Sequence, residues 1–268
     1  MDIQWSLVLF TALTGMGGWL FFFICLNVFV RKTDKGAFAG TATALALTVV
    51  GGLASVTHLS HPDRMLGALQ HPTSGIFTEA LLVGLLAIVM IAFLVMLRRG
   101  IDGGALKAVA VVGMALGALM SFMAGQSYLM SAIAAWNTEL LPLGYLGTAA
   151  ASGAAAYLVL IAAQKADENA CSLYGLMTLA AGCVALITVL AYGAVAGAFA
   201  GDAAPMTIAA AAFGGVAPIA CGFLARKKPG SAVALGAVAL IAALIGSIAL
   251  RCAMWVIGAG LYDFFGLI

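Results

Sequence analysis

Long stretches without any charged side chain are the feature that most restricts the fold of this chain. Residues 3–30 contain no Asp, Glu, Lys or Arg, and comparable runs recur along all 268 residues. About 20 apolar residues in a helix cross roughly 30 Å of hydrocarbon, whereas strands of a membrane barrel need only about 10 residues of alternating polarity. Charged residues make up 8% of the chain, against about 25% in soluble domains. The sequence therefore predicts an all-α integral membrane protein, with residues 1–268 forming a single transmembrane helical bundle domain.

The charged residues divide the chain into eight predicted membrane spans. A charge at the centre of a membrane helix costs about 2.5 to 3.5 kcal/mol, so charge clusters mark the connections between helices. The predicted spans are 3–30, 36–57, 76–97, 108–128, 143–163, 171–199, 206–225 and 231–257.

The distribution of basic residues predicts the orientation of these spans. Ten of the 12 Lys and Arg residues fall in the first, third, fifth and seventh connections, and only Arg64 and Arg251 fall elsewhere. Basic connections remain on the cytoplasmic side of a membrane. We therefore predict an eight-transmembrane-helix bundle with both termini outside. No clustered basic face of the kind that binds nucleic acid is visible.

Small residues and proline suggest how the helices pack. Gly113 and Gly117, and likewise Gly193 and Gly197, have the four-residue spacing that permits close helix contacts. Pro218 lies inside the seventh span and is expected to kink it, because proline lacks a backbone N–H.

All three histidines lie at the predicted outer end of the bundle. His58, His61 and His71 all lie in the connection between the second and third spans, and Glu79 begins the third span. Imidazole titrates near pH 6.5 and can pass a proton between a bound molecule and water. An acid inside a span is costly unless it is paired or hydrated, which makes Glu79 a candidate functional residue.

Arg251 is predicted to lie near the same boundary. It follows the start of the eighth span by 20 residues, or about 30 Å of helix. We therefore expect an outer pocket, open laterally to a lipid-soluble ligand, formed by His58, Asp63, Arg64, Glu79, Tyr128 and Arg251.

Simpler interpretations of these residues remain open. His61 and His71 each precede a proline and suit ordinary turns. Arg251 could instead extend to lipid headgroups or pair with Glu79. The tryptophans Trp5, Trp136 and Trp255 are expected to anchor the bundle at the membrane interface.

The sequence offers no ligand set for a resident metal or haem. Two haems across the bilayer would need histidines in both halves, and none lies in an inner half. The five cysteines lack the spacing of a zinc or iron–sulfur site, so we interpret them as small buried hydrophobic residues. An electron-accepting cluster would then belong to another polypeptide.

Several motifs, in order, resemble those of the membrane-anchor subunit of dimethyl-sulfoxide-reductase-type molybdoenzymes. The segment from Ser55 to Arg64 resembles the family's H-L-G-x-P-x-R element, with Ser60 in place of glycine, and Glu79 resembles its downstream acid. The further matching elements are Tyr128-Leu129-Met130, Ala135-Trp136-Asn137-Thr138 and the late Arg251. The family's acid before that arginine is absent, with Gly246 and Ser247 nearby, and Trp255 stands where a tyrosine is common.

This resemblance implies a haem-free subunit of a prokaryotic cytoplasmic membrane that oxidises menaquinol near the outer face. It implies partners docked outside: a four-cluster ferredoxin-like iron–sulfur subunit and a molybdenum catalytic subunit, which hold the iron–sulfur clusters and the molybdopterin. His58 and Glu79 would be catalytic, and Arg64, Tyr128 and Arg251 would contact the quinol. His61 and Asp63 would release protons.

Two alternatives remain at this point. A polysulfide-reductase-type anchor is also haem-free and active with quinones. A small-solute transporter would also need eight spans, but its polar residues should lie near the membrane midplane, whereas here they collect at the outer boundary and leave the inner halves almost purely apolar.

Overall fold

The computed structural model describes residues 3–30, 32–33, 35–57 and 74–264, with side chains described through residue 258. Its described part is helical and contains no strand. These described residues form nine α-helices: α1 Trp5–Val30, α2 Ala37–Val56, α3 Gly75–Arg98, α4 Gly104–Gln126, α5 Leu140–Ala163, α6 Glu168–Val195, α7 Ala204–Ala211, α8 Ala217–Lys227 and α9 Ala232–Phe264. Helices α7 and α8 belong to one continuous span, Gly201–Lys227, so the described chain has eight helices long and apolar enough to cross a membrane. The predicted number of spans is confirmed.

The seventh span contains a local change of helix type rather than a simple proline kink. A π-helical turn, Ala212–Val216, connects α7 to α8 and ends directly before Ala217 and Pro218. Proline cannot donate to the carbonyl of the preceding turn, and a wider π turn adjusts the backbone at such a point. Gly214 and Gly215 in this turn pack against α9 and α6.

Helices α1 and α5 form the centre of the bundle and are mostly buried, whereas α2 and α3 face outwards along most of their length. Helix α1 packs against α2, α4, α5 and α9, and α5 packs against α4, α6 and α9. Outward-facing side chains such as Ile88 and Ile187 are large and apolar. This surface suits contact with lipid, since the apolar residues cover the outside as well as the core.

One of the two predicted glycine pairs mediates close helix packing. A side chain on Gly117 would collide with the backbone of Gly18 in α1, and one on Gly113 would collide with Phe21. The prediction for the other pair is confirmed only at Gly193, where a side chain would collide with Phe199 and with Thr207 in α7. Gly197 has a φ of 70° and follows the end of α6 at Val195, a left-handed position that favours glycine and stops the helix. The sixth span therefore ends before residue 199.

Four of the five cysteines are buried, and Cys183 is partly buried. All five are free thiols, which agrees with their interpretation as small packing residues.

Candidate functional site

Glu79 lies near the first turn of α3, beside the last turn of α4. The Ser74 hydroxyl oxygen caps α3 by accepting a hydrogen bond from the Phe77 backbone N–H at 3.2 Å. A Cβ on Gly75 would lie only 2.8 Å from the Cβ of Ser127, so the missing side chain lets the two helix ends approach. The Ser127 hydroxyl donates to Glu79 Oε1 over 2.6 Å. The acid is therefore half-buried and held in one orientation.

Tyr128 follows Ser127 and belongs to a cluster of four aromatic rings. Its ring centroid lies 5.9 Å from those of Trp136, Tyr145 and Trp255, and the two indoles are 5.1 Å apart. The Trp136 indole N–H donates to the carbonyl oxygen of Met254 at 2.8 Å. This bond ties the segment between α4 and α5 to α9.

The cluster corrects the interpretation of two tryptophans. Trp136 and Trp255 are only 2% and 6% exposed, so they are core residues rather than interfacial anchors. Trp5 is 56% exposed and remains compatible with an anchoring role. The difference arises because the segment before α5 folds back over α9, which single-sequence patterns do not reveal.

The Tyr128 hydroxyl remains protonated at ordinary pH. Burial raises its pKa above the ordinary value, and the neighbouring Tyr145 and Glu79 raise it further, although Arg251 acts in the opposite direction. A neutral phenol keeps its O–H as a hydrogen-bond donor. Tyr128 can therefore donate to an oxygen atom but cannot serve as a base.

Arg251 is completely buried beneath this cluster, and its guanidinium bonds to two helices. Nε donates to Thr11 Oγ1 at 2.7 Å, and Nη2 donates to the Thr11 carbonyl at 3.1 Å. Nη1 donates to the carbonyl and hydroxyl oxygens of Ser247, at 2.8 and 2.6 Å. The guanidinium carbon lies 4.2 Å from the centroid of the Tyr145 ring, a favourable cation–π geometry. Arg251 thus connects α1, α5 and α9.

This environment differs from both simple interpretations of Arg251. The side chain is 0% exposed, so it does not extend to lipid headgroups. Among the described residues no carboxylate pairs with it, and Glu79 bonds to Ser127 instead. Ser247 lies one helical turn before Arg251, near the place where the family pattern has an acid, and supplies a neutral oxygen. Polar groups and an aromatic face therefore stabilise the cation.

The depth of Arg251 also differs from the prediction. Thr11 lies six residues after the start of α1, about 9 Å along the helix. Helix α9 continues to Phe264, well past Arg251. Arg251 therefore lies below the helix ends rather than at the boundary itself.

A cavity of about 250 Å³ opens between the first turn of α3 and the last turn of α4. Its lining residues are Gly75, Thr78, Met123, Gln126 and Ser127. We call this cavity the α3–α4 cleft. It lies beside the bond between Ser127 and Glu79, whereas Arg251 is sealed inside the bundle. The predicted pocket is therefore divided into an open part at Glu79 and a buried part at Arg251, with Tyr128 and Tyr145 between them.

Five predicted residues, His58, His61, Asp63, Arg64 and His71, lie outside the described residues. Of the predicted site, the structure places Glu79, Tyr128 and Arg251 at the same end of the bundle. Glu79 and Tyr128 are linked through Ser127, and Tyr128 reaches Arg251 through the Tyr145 ring.

Sequence reasoning missed the polar partners of these groups. Ser247 could have been found, because it precedes Arg251 by four residues and lies on the same helix face. Thr11 and Tyr145 come from distant parts of the chain, and no sequence signal connects them to Arg251. Gln126 was visible only as a polar residue at the end of a span.

Most described hydroxyl groups of threonine and serine inside the bundle bond to carbonyls of their own helix, whereas the Trp19 indole N–H donates to Ser121 Oγ at 2.9 Å between α1 and α4. Thr48 and Thr178 donate to the carbonyls of Ala44 and Tyr174, four residues earlier in their own helices. In the described part of the chain, no group of three or more His, Cys, Asp or Glu side chains could hold a metal ion.

Comparison with known families decides between the remaining interpretations. A sequence model of the DMSO reductase anchor subunit (DmsC) family matches residues 1–253. The chain belongs to the DMSO reductase anchor subunit family. No curated protein matches the chain in a sequence search. As a DMSO reductase anchor subunit, the chain is a multi-pass membrane protein with eight spanning helices. The match also covers Arg251, which the anchor subunit holds in its core.

Proposed function

We propose that this anchor subunit binds menaquinol, or a related quinol, at the bundle end that carries Glu79 and passes its electrons to an iron–sulfur partner. The observation that supports this most directly is the position of Glu79. A carboxylate held by Ser127 at 2.6 Å lies beside a cleft at the end of two apolar helices. A lipid-soluble molecule that must lose protons needs this combination of apolar surroundings and a nearby acceptor.

The chemistry assigns different tasks to the residues of the site. Oxidation of one quinol to the quinone releases two electrons and two protons. Glu79 and His58 would accept the protons from the two hydroxyl groups, and His61 and Asp63 would pass them to water. Arg64 and Tyr128 would orient the quinol oxygens. Arg251 would position Tyr128 indirectly, because it contacts the ring of Tyr145, which packs against Tyr128.

The electrons leave through partners of the anchor. We infer a four-cluster ferredoxin-like iron–sulfur subunit and a molybdenum catalytic subunit, because the family is that of the anchor of DMSO reductase. The anchor itself would hold neither haem nor metal, and the iron–sulfur clusters and molybdopterin would belong to the partners. These partners would dock on the outer side of a prokaryotic cytoplasmic membrane.

Charge distribution supports this orientation. Described basic residues at the bundle end opposite Glu79 include Lys32, Arg98, Lys107 and Lys165. Because cytoplasmic loops carry such an excess of Lys and Arg, this distribution supports an orientation with the Glu79 end and both termini outside. If protons are released there and electrons also leave outwards, no charge crosses the membrane.

The proposed site is tested by quinol oxidation in the assembled complex carrying His58→Ala or His61→Ala. We expect the His58 variant to lose about 100-fold in rate, typical of a removed acid–base group, and the His61 variant to lose much less. Copurification of all subunits controls for assembly. Equal retention of activity by both variants would defeat the assignment.

The orientation is tested separately in proteoliposomes. Turnover with a quinol and a terminal electron acceptor should create no membrane potential when the partners face the same side as the quinol site. A potential that forms during turnover would show that the quinol site and the partners lie on opposite sides.

A further inference from the structure

Gln126 carries an unpaired acceptor at the α3–α4 cleft. It ends α4 and lines the cleft together with Thr78 and Ser127. Its side-chain oxygen, Oε1, is inaccessible to solvent, and no described residue donates a hydrogen bond to it. A buried acceptor without a donor destabilises the folded protein, because the amide loses its hydrogen bonds to water. Such a group at a cavity indicates a ligand that supplies the missing donor.

The neighbouring polar groups do not fill this role. The Ser127 hydroxyl has a single proton, which it directs to Glu79 Oε1 and the Ala124 carbonyl. The Thr78 hydroxyl donates to the Ser74 carbonyl at 3.2 Å. Both donors at the cleft are therefore engaged, whereas Gln126 Oε1 has no donor among the described residues.

The cleft accommodates a flat ring better than a complete lipid. Its volume of about 250 Å³ is near the lower end of small-molecule pockets, which run from roughly 300 to 1,000 Å³. Thr78, Gln126 and Ser127 make part of its lining polar, whereas Ile76, which follows Gly75, is apolar and 56% exposed. A hydroxylated ring can therefore enter while an attached apolar tail remains against the lipid-facing surface.

We propose that Gln126 is a quinol-binding residue whose side-chain oxygen accepts a hydrogen bond from one hydroxyl of the quinol ring in the α3–α4 cleft. This inference rests on the proposed function and adds a binding residue to it. Gln126 fixes the position of the ring, while Glu79, reached through Ser127, lies on the opposite helix as a proton acceptor. Because Gln126 Oε1 is an acceptor, the bound ring must supply a hydroxyl donor. The quinol has this donor, whereas the oxidised quinone does not.

The test is steady-state oxidation of reduced dimethylnaphthoquinone by the assembled complex carrying Gln126→Met. Methionine preserves the length of the side chain but removes the acceptor. We expect KM for the quinol to rise about tenfold, the equivalent of one hydrogen bond worth about 1.4 kcal/mol, with kcat changed less than twofold. Thermal stability of the complex should stay equal or increase, because an unpaired buried acceptor is removed.

Two further variants complete the experiment. Gln126→Glu keeps an oxygen acceptor and should recover most of the affinity. Gln4→Leu makes a comparable polar-to-apolar change at an exposed position on the same end of the bundle and should leave KM unchanged. If the methionine variant does not assemble, Gln126→Asn, which withdraws the amide by one methylene, must still raise KM.

The outcomes separate this inference from the proposed function. An unchanged KM in an assembled Gln126→Met complex that oxidises quinol overturns the role of Gln126 and leaves the anchor's quinol activity standing. The same holds for an unchanged KM in Gln126→Asn. A wild-type complex that cannot oxidise the quinol at all would instead refute the proposed function.

Discussion

The hydrogen bond between Arg251 and Thr11 gives the sharpest prediction for the stability of the bundle. Arg251 is fully buried on α9, and Thr11 Oγ1 is the side-chain acceptor that α1 provides for its Nε at 2.7 Å. Thr11→Val keeps the shape of the side chain and removes this oxygen. The valine variant therefore leaves a charged N–H without its partner in the core.

The expected loss of stability follows from two ranges of hydrogen-bond free energies. Hydrogen bonds to charged groups contribute about 1.5 to 3 kcal/mol in soluble proteins, and interhelical bonds in membranes average about 0.6 kcal/mol with a maximum near 1.7. No described carboxylate shares the charge of Arg251, so the bond should lie at the upper end of the membrane range. We expect Thr11→Val to lower the free energy of unfolding by about 1.5 kcal/mol, which is about tenfold in the unfolding equilibrium constant.

The measurement is unfolding of the full chain in mixed detergent micelles with increasing sodium dodecyl sulfate, followed by tryptophan fluorescence. Thr11→Ser is the matched control, because it loses a methyl group but keeps the acceptor. We expect it to lose only about 0.5 kcal/mol, close to ordinary small substitutions. Equal stability of the valine and serine variants would refute the reasoning that the oxygen matters.

Four other substitutions have defined outcomes. Ser127→Ala removes the donor to Glu79 and should slow quinol oxidation by the complex several-fold, less than Glu79→Gln does; a larger effect of the serine variant would contradict the assignment of the proton acceptor. Gly117→Ala places a methyl group against the backbone of α1 and should cost about 1 to 3 kcal/mol of stability. Gly84→Ala, which meets no neighbouring atom, should be neutral or slightly stabilising in the same unfolding assay. Trp136→Phe removes the indole N–H that bonds the Met254 carbonyl and should cost about 1 kcal/mol, seen as a lower melting temperature in detergent.

The transmembrane architecture could be predicted from the sequence because it depends on local composition. Each span must satisfy its backbone hydrogen bonds within itself and present apolar side chains to lipid, so length and hydropathy suffice to locate it. The observed helices α1 and α2 begin or end within two residues of the predicted spans. One local error, the end of α6, involved Gly197, whose left-handed backbone ended the helix although its spacing to Gly193 suggested packing.

The candidate site could be predicted only in part. Glu79 and Arg251 stand out in the sequence because ionisable residues are rare in apolar spans. The positions of Glu79 and Arg251 within their spans predicted that both lie at the outer boundary. They could not show that Arg251 is buried beneath Tyr145 or that Glu79 bonds to Ser127. These contacts depend on which helices become neighbours.

The sequence by itself determined that this chain is a bundle of eight spanning helices, with most basic residues at one end and the histidines, Glu79 and Arg251 towards the other. Only tertiary structure decided that Trp136 and Trp255 are core residues, that Thr11 and Ser247 stabilise Arg251, and that Gln126 faces a cleft with an unpaired oxygen. The physical reason is that insertion into a bilayer is governed by each segment's own hydrophobicity, whereas polar pairing inside the bundle depends on residues up to 240 positions apart in the chain.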